Sequence, residues 1–298
     1  MPHSNLWGGY FRKHGIPWIL ETNAPLFSES KQQRKTIVLS KIARSLELRA
    51  YRECNVLVCI SYELKQIIVR ELGISPEKIV VIPNGVDVEL FDPARYQPKR
   101  LFSSFTIGYV GSLYAWQGLN LLLEAIAYLR TEGLDLSLLV VGDGPMQKTW
   151  QELAHQLNIA PHVAFVDRIP ASEVPAYIAG FDVGYCGQVE RETGKIYFSP
   201  LKLYEYMAMG KPVIASAFED TIRVIRNGET GFLFQAGNLS QLKQAISKAY
   251  REREHLVARG RLAREKIVTN HSWNARVELM IAEVDRILKA SSDEQKIL

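Results

Sequence analysis

A chain of 298 residues with 47% hydrophobic and 23% charged residues has the composition of an ordinary globular protein, long enough for one large or two moderate domains. Its net charge of +4 is compatible with phosphate-bearing ligands or an anionic membrane surface, but it is too weak to predict a nucleic-acid partner. No apolar run approaches membrane-spanning length, and the three cysteines lack metal-ligand spacing. We therefore expect buried thiols and a cytoplasmic location, with peripheral association at the inner face of a membrane left open.

The first third of the chain predicts a few strands and helices followed by a linker. Apolar runs predict strands at 16–20, 56–60 and 78–82, and helical spacing predicts one or two helices over 28–53 and another from Ser61 to about Leu72. Residues 92–100 have no periodicity and are rich in polar residues and proline, which indicates a linker between domains.

After residue 104 the pattern alternates regularly between strands and helices. Strands are predicted at 105–110, 136–141, 162–166 and 181–185, helices at 119–129, about 146–157 and 171–179, and a helix-rich region up to 272–289. Such alternation predicts a parallel sheet covered on both faces, with ligands at the carboxyl ends of its strands. The glycine turns 111–118 and 142–145 and the loop 188–199 fall at that edge.

The stretch 199–216 is the centre of the functional argument. Ser199 suits a helix N-cap and Pro200 the first helical position, so a helix is expected up to Met209, ended by Gly210 and followed by a strand at 213–215. The free N–H groups of its first turn could hold a phosphate. Lys202 and Glu205 share one face of this helix, and taken alone they indicate an ordinary surface ion pair.

Several common site motifs are missing. Neither Gly108–Gly111 nor Gly142–Gly144 completes the dinucleotide fingerprint, and the chain contains no Walker-type phosphate loop and no Gly-x-Ser-x-Gly elbow. The six histidines are scattered, which disfavours a metal site. What remains is a phosphate-accepting helix end on an α/β sheet.

Four stretches, at 79–87, 108–112, 140–145 and 200–213, give the chain from about Trp7 to Leu288 its family resemblance. Each is weak alone, but in this order and spacing they closely resemble the retaining GT-B glycosyltransferases of the family 4 group, the glycosyl transferases group 1. The resemblance implies an α/β fold of two Rossmann-like domains with parallel sheets. It assigns 1–95 to an incomplete acceptor-side domain, 96–271 to a nucleotide-sugar-binding domain, and 272–298 to a helix that crosses back to the first.

The same resemblance implies a nucleotide-diphosphate sugar as donor substrate, with no cofactor and no metal. Glu205 matches the second glutamate of the family's two-glutamate motif, whose carboxylate binds the donor ribose. The first glutamate is replaced by Tyr197, so the candidates for sugar contact are Tyr197 itself and the loop residues Glu190 and Glu192. A solvated loop without such contacts is an equal alternative for these two glutamates.

Many relatives place an arginine and a lysine against the donor diphosphate, where this chain has Ser112 and Gln117. Lys202 is the natural substitute, because a cation at this helix end stabilises the charge of a leaving diphosphate. Backbone N–H groups are expected to assist it, from Gly111, Ser112, Ser199 and Leu201 around Pro200. The backbone around Arg168 and Ile169 matches the region that contacts the base.

The first domain resembles the family only from partway through its sheet, which indicates either an upstream start or a truncated copy. Glu21 follows the strand that leads to the acceptor and is the candidate acceptor contact. The expected activity is sugar transfer to the hydroxyl of a carbohydrate, lipid or small-molecule acceptor, with retention, in polysaccharide or glycolipid biosynthesis. Lys202 and Glu21 are the catalytic candidates. The alternatives are a non-catalytic remnant that binds a nucleotide sugar or a protein partner, and a nucleotide-sugar epimerase.

Overall fold

The computed structural model describes residues 8–24, 40–189 and 196–297, and its contacts group the chain into two compact units. Unit 1 contains the residues up to Asn84, the short segment Tyr197–Ser199 and the residues from Asn274 onward. Unit 2 contains Gly85–Ile196 and Pro200–Trp273. Residues 28–39 of the predicted first helices, together with Glu190 and Glu192, lie outside the described residues. The predicted domain limits stay a prediction.

Unit 1 contains a parallel sheet with the strand order β1-β2-β3 in its described residues. Its elements in chain order are α1 (Gly8–Lys13), β1 (Ile19–Thr22), α2 (Ser40–Glu53), β2 (Val56–Cys59), α3 (Tyr62–Leu72) and β3 (Ile79–Val81). The long C-terminal helix, Trp273–Ile297, belongs to this unit from Asn274 onward.

The central strand of unit 1 buries both of its faces. Leu57 and Cys59 belong to a core cluster that includes helix α3, whereas Val56 and Val58 pack with Val284 and Ile287 of the C-terminal helix. This division follows from the alternation of side chains along a strand. It explains why the run is apolar throughout, as expected of a parallel strand covered on both sides.

Helix α3 has the end signals that its sequence predicts. Ser61 Oγ accepts a hydrogen bond of 3.1 Å from Leu64 N, and Gly73 ends the helix in the left-handed conformation with φ of +64°. Strand β1 lies further along the chain than predicted, since its pairing with β2 begins at Ile19 opposite Val56. Glu21 is therefore part of the strand and not of the loop that follows it.

Unit 2 contains a six-stranded, entirely parallel sheet with the order β6-β5-β4-β7-β8-β9. Its elements are β4 (Phe105–Val110), α4 (Leu119–Thr131), β5 (Leu136–Val141), α5 (Gln147–Gln156), β6 (Val163–Val166), α6 (Val174–Ala179), β7 (Val183–Cys186), α7 (Leu201–Ala208), β8 (Val213–Ala217), α8 (Glu219–Val224), β9 (Gly231–Gln235), α9 (Leu239–Arg251) and α10 (Leu256–Asn270). The C-terminal helix is α11. The strand order reverses between β4 and β7, and ligands of such sheets bind at the carboxyl ends of the strands beside this reversal.

Helices cover both faces of the six-stranded sheet, as the sequence predicted. On β5, Leu138 and Val140 join one core cluster while Leu139 and Val141 join the other. Strand β9 was not predicted, because its five residues are too short a run to separate from the surrounding helical patterns. It is nevertheless held firmly, since it pairs with β8 along its whole length.

Helix α7 begins at Leu201, with Pro200 as its N-cap residue. The expected capping by Ser199 is wrong, because the Ser199 hydroxyl accepts a hydrogen bond of 2.9 Å from Asn84 N within unit 1. The C-terminal end is as predicted, since Gly210 has φ of +65° and β8 follows at Val213. Among the described residues, no helix combines the length and apolar character required to cross a membrane.

Candidate functional site

The candidate site lies at the carboxyl edge of the unit 2 sheet, where the turn after β4 meets the start of α7. Gly111 has φ of +141°, and a Cβ there would lie 3.3 Å from Cε and 3.4 Å from Nζ of Lys202. The turn therefore runs directly past the lysine side chain, and its conformation favours glycine. The Gly111 N–H, an expected phosphate donor, already donates to Val141 O at 3.0 Å, so this part of the expectation is wrong.

Lys202 is a half-buried cation whose contacts are all to neutral groups. Its Nζ donates to Gln117 Oε1 at 2.6 Å and to Tyr109 OH at 3.2 Å, and it lies 4.5 Å from the centroid of the Tyr109 ring. In the described part of the chain, no carboxylate lies within 4.0 Å of it. Burial lowers its pKa to about 8, against the opposing influence of Cys186 and Glu205. The lysine is still charged at neutral pH, and none of its partners in the described residues is a counter-ion.

The Glu205 carboxylate, one turn further along α7, also has no hydrogen bond or ion pair within the described residues. Burial raises its pKa to about 7, and the nearby Lys202 reduces the rise. The surface ion pair expected from the helix spacing alone is therefore wrong. The site instead holds a cation and a carboxylate that share a helix face without satisfying each other, an arrangement that fits groups held ready for a ligand.

Helix α7 is fixed from both sides by hydroxyl groups. Tyr206 OH accepts a hydrogen bond of 2.6 Å from Val110 N, and Tyr204 OH lies 3.0 and 2.8 Å from the two carboxylate oxygens of the buried Asp220. At the C-terminal end, Arg264 donates to Ala208 O. These contacts tie the helix to β4, α8 and α10, so Lys202 and Glu205 stand on a rigid element.

Two residues beside the lysine connect it to the rest of the edge. Gln117 was predicted from the family pattern, and the structure brings its side chain to Lys202. Tyr109 was missed, because a tyrosine inside a strand carries no distinguishing pattern. It donates from its hydroxyl to Ser112 O at 2.8 Å, and burial keeps its pKa well above the ordinary value, so the phenol stays neutral. The Ser112 N–H has no partner among the described residues.

The remaining predicted site residues are distributed over both units. Leu201 and Arg168 are exposed on unit 2, whereas Ile169 packs partly against its core. In unit 1, Tyr197 is 7% exposed and packs in the core, with its carbonyl accepting from Ser61 Oγ at 2.9 Å. Glu21 is exposed on β1. Tyr197 is thus a core side chain of unit 1, and its proposed contact with a sugar stays a prediction.

The three cysteines are free and buried, as expected. Burial raises the pKa of Cys186, beneath the candidate site, to about 12, so this thiol is inert at neutral pH. Within the described ranges, histidine, cysteine, aspartate and glutamate residues form no group of three or more that could hold a metal ion.

The two parallel α/β units and their structural neighbours define a GT-B fold. The model of the glycosyl transferases group 1 family matches residues 104–252, half of the chain, and the glycosyltransferase family 4 model matches residues 1–90. The chain belongs to the glycosyl transferases group 1 family.

Curated relatives and solved structures resemble the chain over most of its length. A 2-deoxystreptamine glucosyltransferase from Streptomyces kanamyceticus is 23% identical over 83% of this chain and 64% of that relative. A GDP-mannose-dependent alpha-(1-6)-phosphatidylinositol monomannoside mannosyltransferase from Mycolicibacterium smegmatis is 27% identical over 65% of this chain and 53% of that relative. The fold of Anabaena Alr3699/HepE, solved with UDP-glucose, matches with a TM-score of 0.69 at 16% identity, covering 98% of this chain and 77% of that one. The chain thus spans about half to two thirds of the length of these two curated relatives.

Proposed function

We propose that the protein transfers a sugar from a nucleotide-diphosphate sugar to an acceptor hydroxyl, with retention of configuration and without a metal ion. The observation that carries the proposal is the half-buried Lys202 ammonium, which lies beside the Gly111 turn at the start of α7 and has no carboxylate within 4.0 Å in the described residues. A cation in this position is incompletely satisfied by neutral partners and favours an anionic ligand.

The donor diphosphate would take the place of the missing counter-ion. Lys202 would contact the phosphates, and the first N–H groups of α7 together with Ser112 N–H would add hydrogen bonds. As the bond between the sugar and the diphosphate breaks, negative charge grows on the leaving oxygen, and a fixed cation stabilises this charge more than it stabilises the intact donor. This arrangement makes the transfer independent of a metal ion.

Glu205 would hold the ribose of the donor. A carboxylate accepts hydrogen bonds from two neighbouring hydroxyls, and the Glu205 carboxylate has no competing partner in the described residues. Lys202 and Glu205 lie three residues apart on one face of a rigid helix, so one nucleotide would contact both through its adjacent phosphates and ribose. Arg168 and Ile169 remain the proposed base region, and Ser199 and Leu201 remain proposed backbone contacts around Pro200.

The acceptor is proposed to be a carbohydrate, a lipid or a small molecule, with Glu21 of unit 1 as its candidate contact. One relative acts on 2-deoxystreptamine and another on a phosphatidylinositol monomannoside, which supports acceptors of these kinds. We propose a role in polysaccharide or glycolipid biosynthesis, at the cytoplasmic face of a membrane where the acceptor is a membrane lipid. No nucleic acid is required.

Calorimetry with UDP-glucose and GDP-mannose, followed by nucleotide-release assays with acceptors of these classes, tests the proposal. We expect one donor to bind, nucleotide release to depend on an acceptor and to persist with a chelator, and NMR of the product to show retention. Failure of every nucleotide sugar to bind contradicts the proposal. Binding without turnover favours the non-catalytic alternative, and conversion of the sugar without an acceptor favours the epimerase.

A further inference from the structure

Gln188 holds a buried polar atom that the structure leaves unsatisfied. The residue is 5% exposed, and among the residues that the structure describes its side-chain oxygen Oε1 has no hydrogen-bond partner. Buried amide oxygens are nearly always paired, because removal from water without a replacement hydrogen bond costs free energy. An orphaned oxygen of this kind needs an explanation, and one is that a ligand supplies the missing donor.

The position of Gln188 in the fold places the residue in a loop at the same sheet edge as the candidate site. Gln188 follows β7, whose neighbour β4 marks the reversal of strand order in the unit 2 sheet. Ligands of such sheets bind in the crevice beside this reversal. The sheet topology alone therefore brings the loop after β7 and the turn after β4 to one ligand-binding edge.

Contacts between the two loops align Gln188 with Gln117. Val189 N donates to Trp116 O at 2.9 Å, and a Cβ on Gly118 would lie only 2.1 Å from Gly187 O. The backbone of residues 187–189 therefore runs along residues 116–118 in the opposite direction, with Gln188 at the position opposite Gln117. The Gln117 side chain is the one that receives the 2.6 Å hydrogen bond from Lys202.

We propose, on the basis of the proposed function, that Gln188 accepts a hydrogen bond from a hydroxyl of the transferred sugar. Lys202 and the free N–H groups beside it are donors and suit the phosphates. An amide oxygen is an acceptor, so it disfavours a phosphate and suits a hydroxyl group. In a nucleotide sugar, the group attached directly to the diphosphate and rich in hydroxyls is the sugar. Gln188 is thus a specificity-determining residue that binds the sugar and does not contact the nucleotide.

The test measures the affinity of wild type and Gln188→Met for a nucleotide sugar and for the matching nucleoside diphosphate, with UDP-glucose and UDP or GDP-mannose and GDP as probes. Methionine has a similar size and no strong acceptor. We expect a loss of about tenfold in affinity for the nucleotide sugar and no change for the nucleoside diphosphate. The melting temperature of the free protein should not fall, since an unsatisfied polar atom has been removed.

Two further variants make the result decisive. Gln188→Glu keeps an acceptor oxygen and should retain the preference for the nucleotide sugar, and the exposed Gln244→Met on α9 should leave both affinities unchanged. The same two affinities are measured for Gln188→Ala, so that the result does not depend on whether the methionine variant folds correctly. Equal losses for both ligands in Gln188→Met and Gln188→Ala, or no loss for either, overturn the proposal for Gln188. A wild-type protein that binds neither class of ligand contradicts the proposed function itself.

Discussion

Two cations of unit 2, Lys202 and Arg100, lie at opposite edges of the same sheet and have opposite surroundings. The Arg100 guanidinium donates to both carboxylate oxygens of Asp182 at 3.2 and 2.8 Å and to the carbonyls of Phe102 and Ser104 at 3.0 and 3.1 Å. Lys202 has a glutamine and a phenol as its partners and no carboxylate within 4.0 Å in the described residues. The first cation makes four hydrogen bonds and is neutralised by a carboxylate, whereas the second has only neutral partners among the described residues.

Whether a cation is already paired is a better indicator of an anion-binding site than the size of a cavity. A cavity of about 530 Å³ lies at the amino edge, and the Arg100–Asp182 pair is part of its lining. The pair neutralises itself, and Asp182 also accepts a 2.7 Å hydrogen bond from Thr106 N, so it holds the start of β4 in place. A paired charge stabilises the fold, whereas an unpaired charge at the strand reversal attracts a ligand.

Replacement of Lys202 gives the largest expected effect. Lys202→Met should lower the affinity for the nucleotide sugar about a hundredfold, because charge-assisted hydrogen bonds to the diphosphate are lost. Calorimetry measures this, with Lys148→Met as the control, since the Lys148 side chain is 89% exposed. If Lys202→Met left the affinity unchanged, or if Lys148→Met lowered it equally, the proposed difference between the carboxyl and amino edges of the sheet would be contradicted.

Glu205→Gln should weaken binding of a ribonucleoside diphosphate about tenfold, because one charged acceptor for the ribose hydroxyls is lost. The 2′-deoxy form of the same nucleotide should be affected less. At pH 8 the free energy of unfolding of the variant should be about 1 kcal/mol higher than that of wild type. The reason is that the half-buried Glu205 carboxylate, whose pKa is raised, destabilises the free protein when it is charged. Equal losses for the ribo and deoxy ligands would contradict the assignment of Glu205 to the ribose.

The affinity for the nucleotide sugar should be highest between about pH 7 and 8. Above the Lys202 pKa of about 8 the ammonium loses its proton, and below the Glu205 pKa of about 7 the carboxylate gains one. The affinity should therefore fall on both sides, by up to about tenfold per pH unit. Lys202→Met should lack the alkaline decrease and Glu205→Gln the acidic one. If the pH profile were unchanged in both variants, the acidic and alkaline decreases in affinity would have to come from ionisable groups other than Glu205 and Lys202.

Arg100→Met should have the smallest effect on ligands and a measurable one on the fold. Loss of the bonds to Asp182 and to the carbonyls should lower the free energy of unfolding by about 1–2 kcal/mol, measured by urea denaturation. The affinity for the nucleotide sugar should stay at the wild-type value. A large loss of affinity at unchanged stability would show that the amino edge also serves the donor.

The sequence predicted the parts of this site that depend on local patterns. Strand and helix periodicity placed β4 and β5, and the Pro200 and Gly210 signals placed α7 to within one residue, with Lys202 and Glu205 on it. The resemblance to family 4 added Gln117, whose side chain the structure brings to Lys202. These predictions needed only the spacing along one element or one family motif.

Predictions failed where the outcome depends on residues distant in the chain. The cap of α7 was wrong because Asn84, 115 positions away, binds the Ser199 hydroxyl. The burial of Lys202, which the helix spacing alone does not show, depends on packing against Tyr109 and the Gly111 turn. The orphaned oxygen of Gln188 is visible only when every possible partner has been placed in space.

The most direct measurement compares the affinity of a nucleoside with that of its diphosphate in wild type, Lys202→Met and Arg100→Met. We predict that Lys202→Met removes most of the advantage of the diphosphate and leaves the nucleoside affinity nearly unchanged, while Arg100→Met alters neither. Equal losses for nucleoside and diphosphate in Lys202→Met would contradict the claim that an unpaired lysine at the carboxyl edge of unit 2 holds the donor diphosphate.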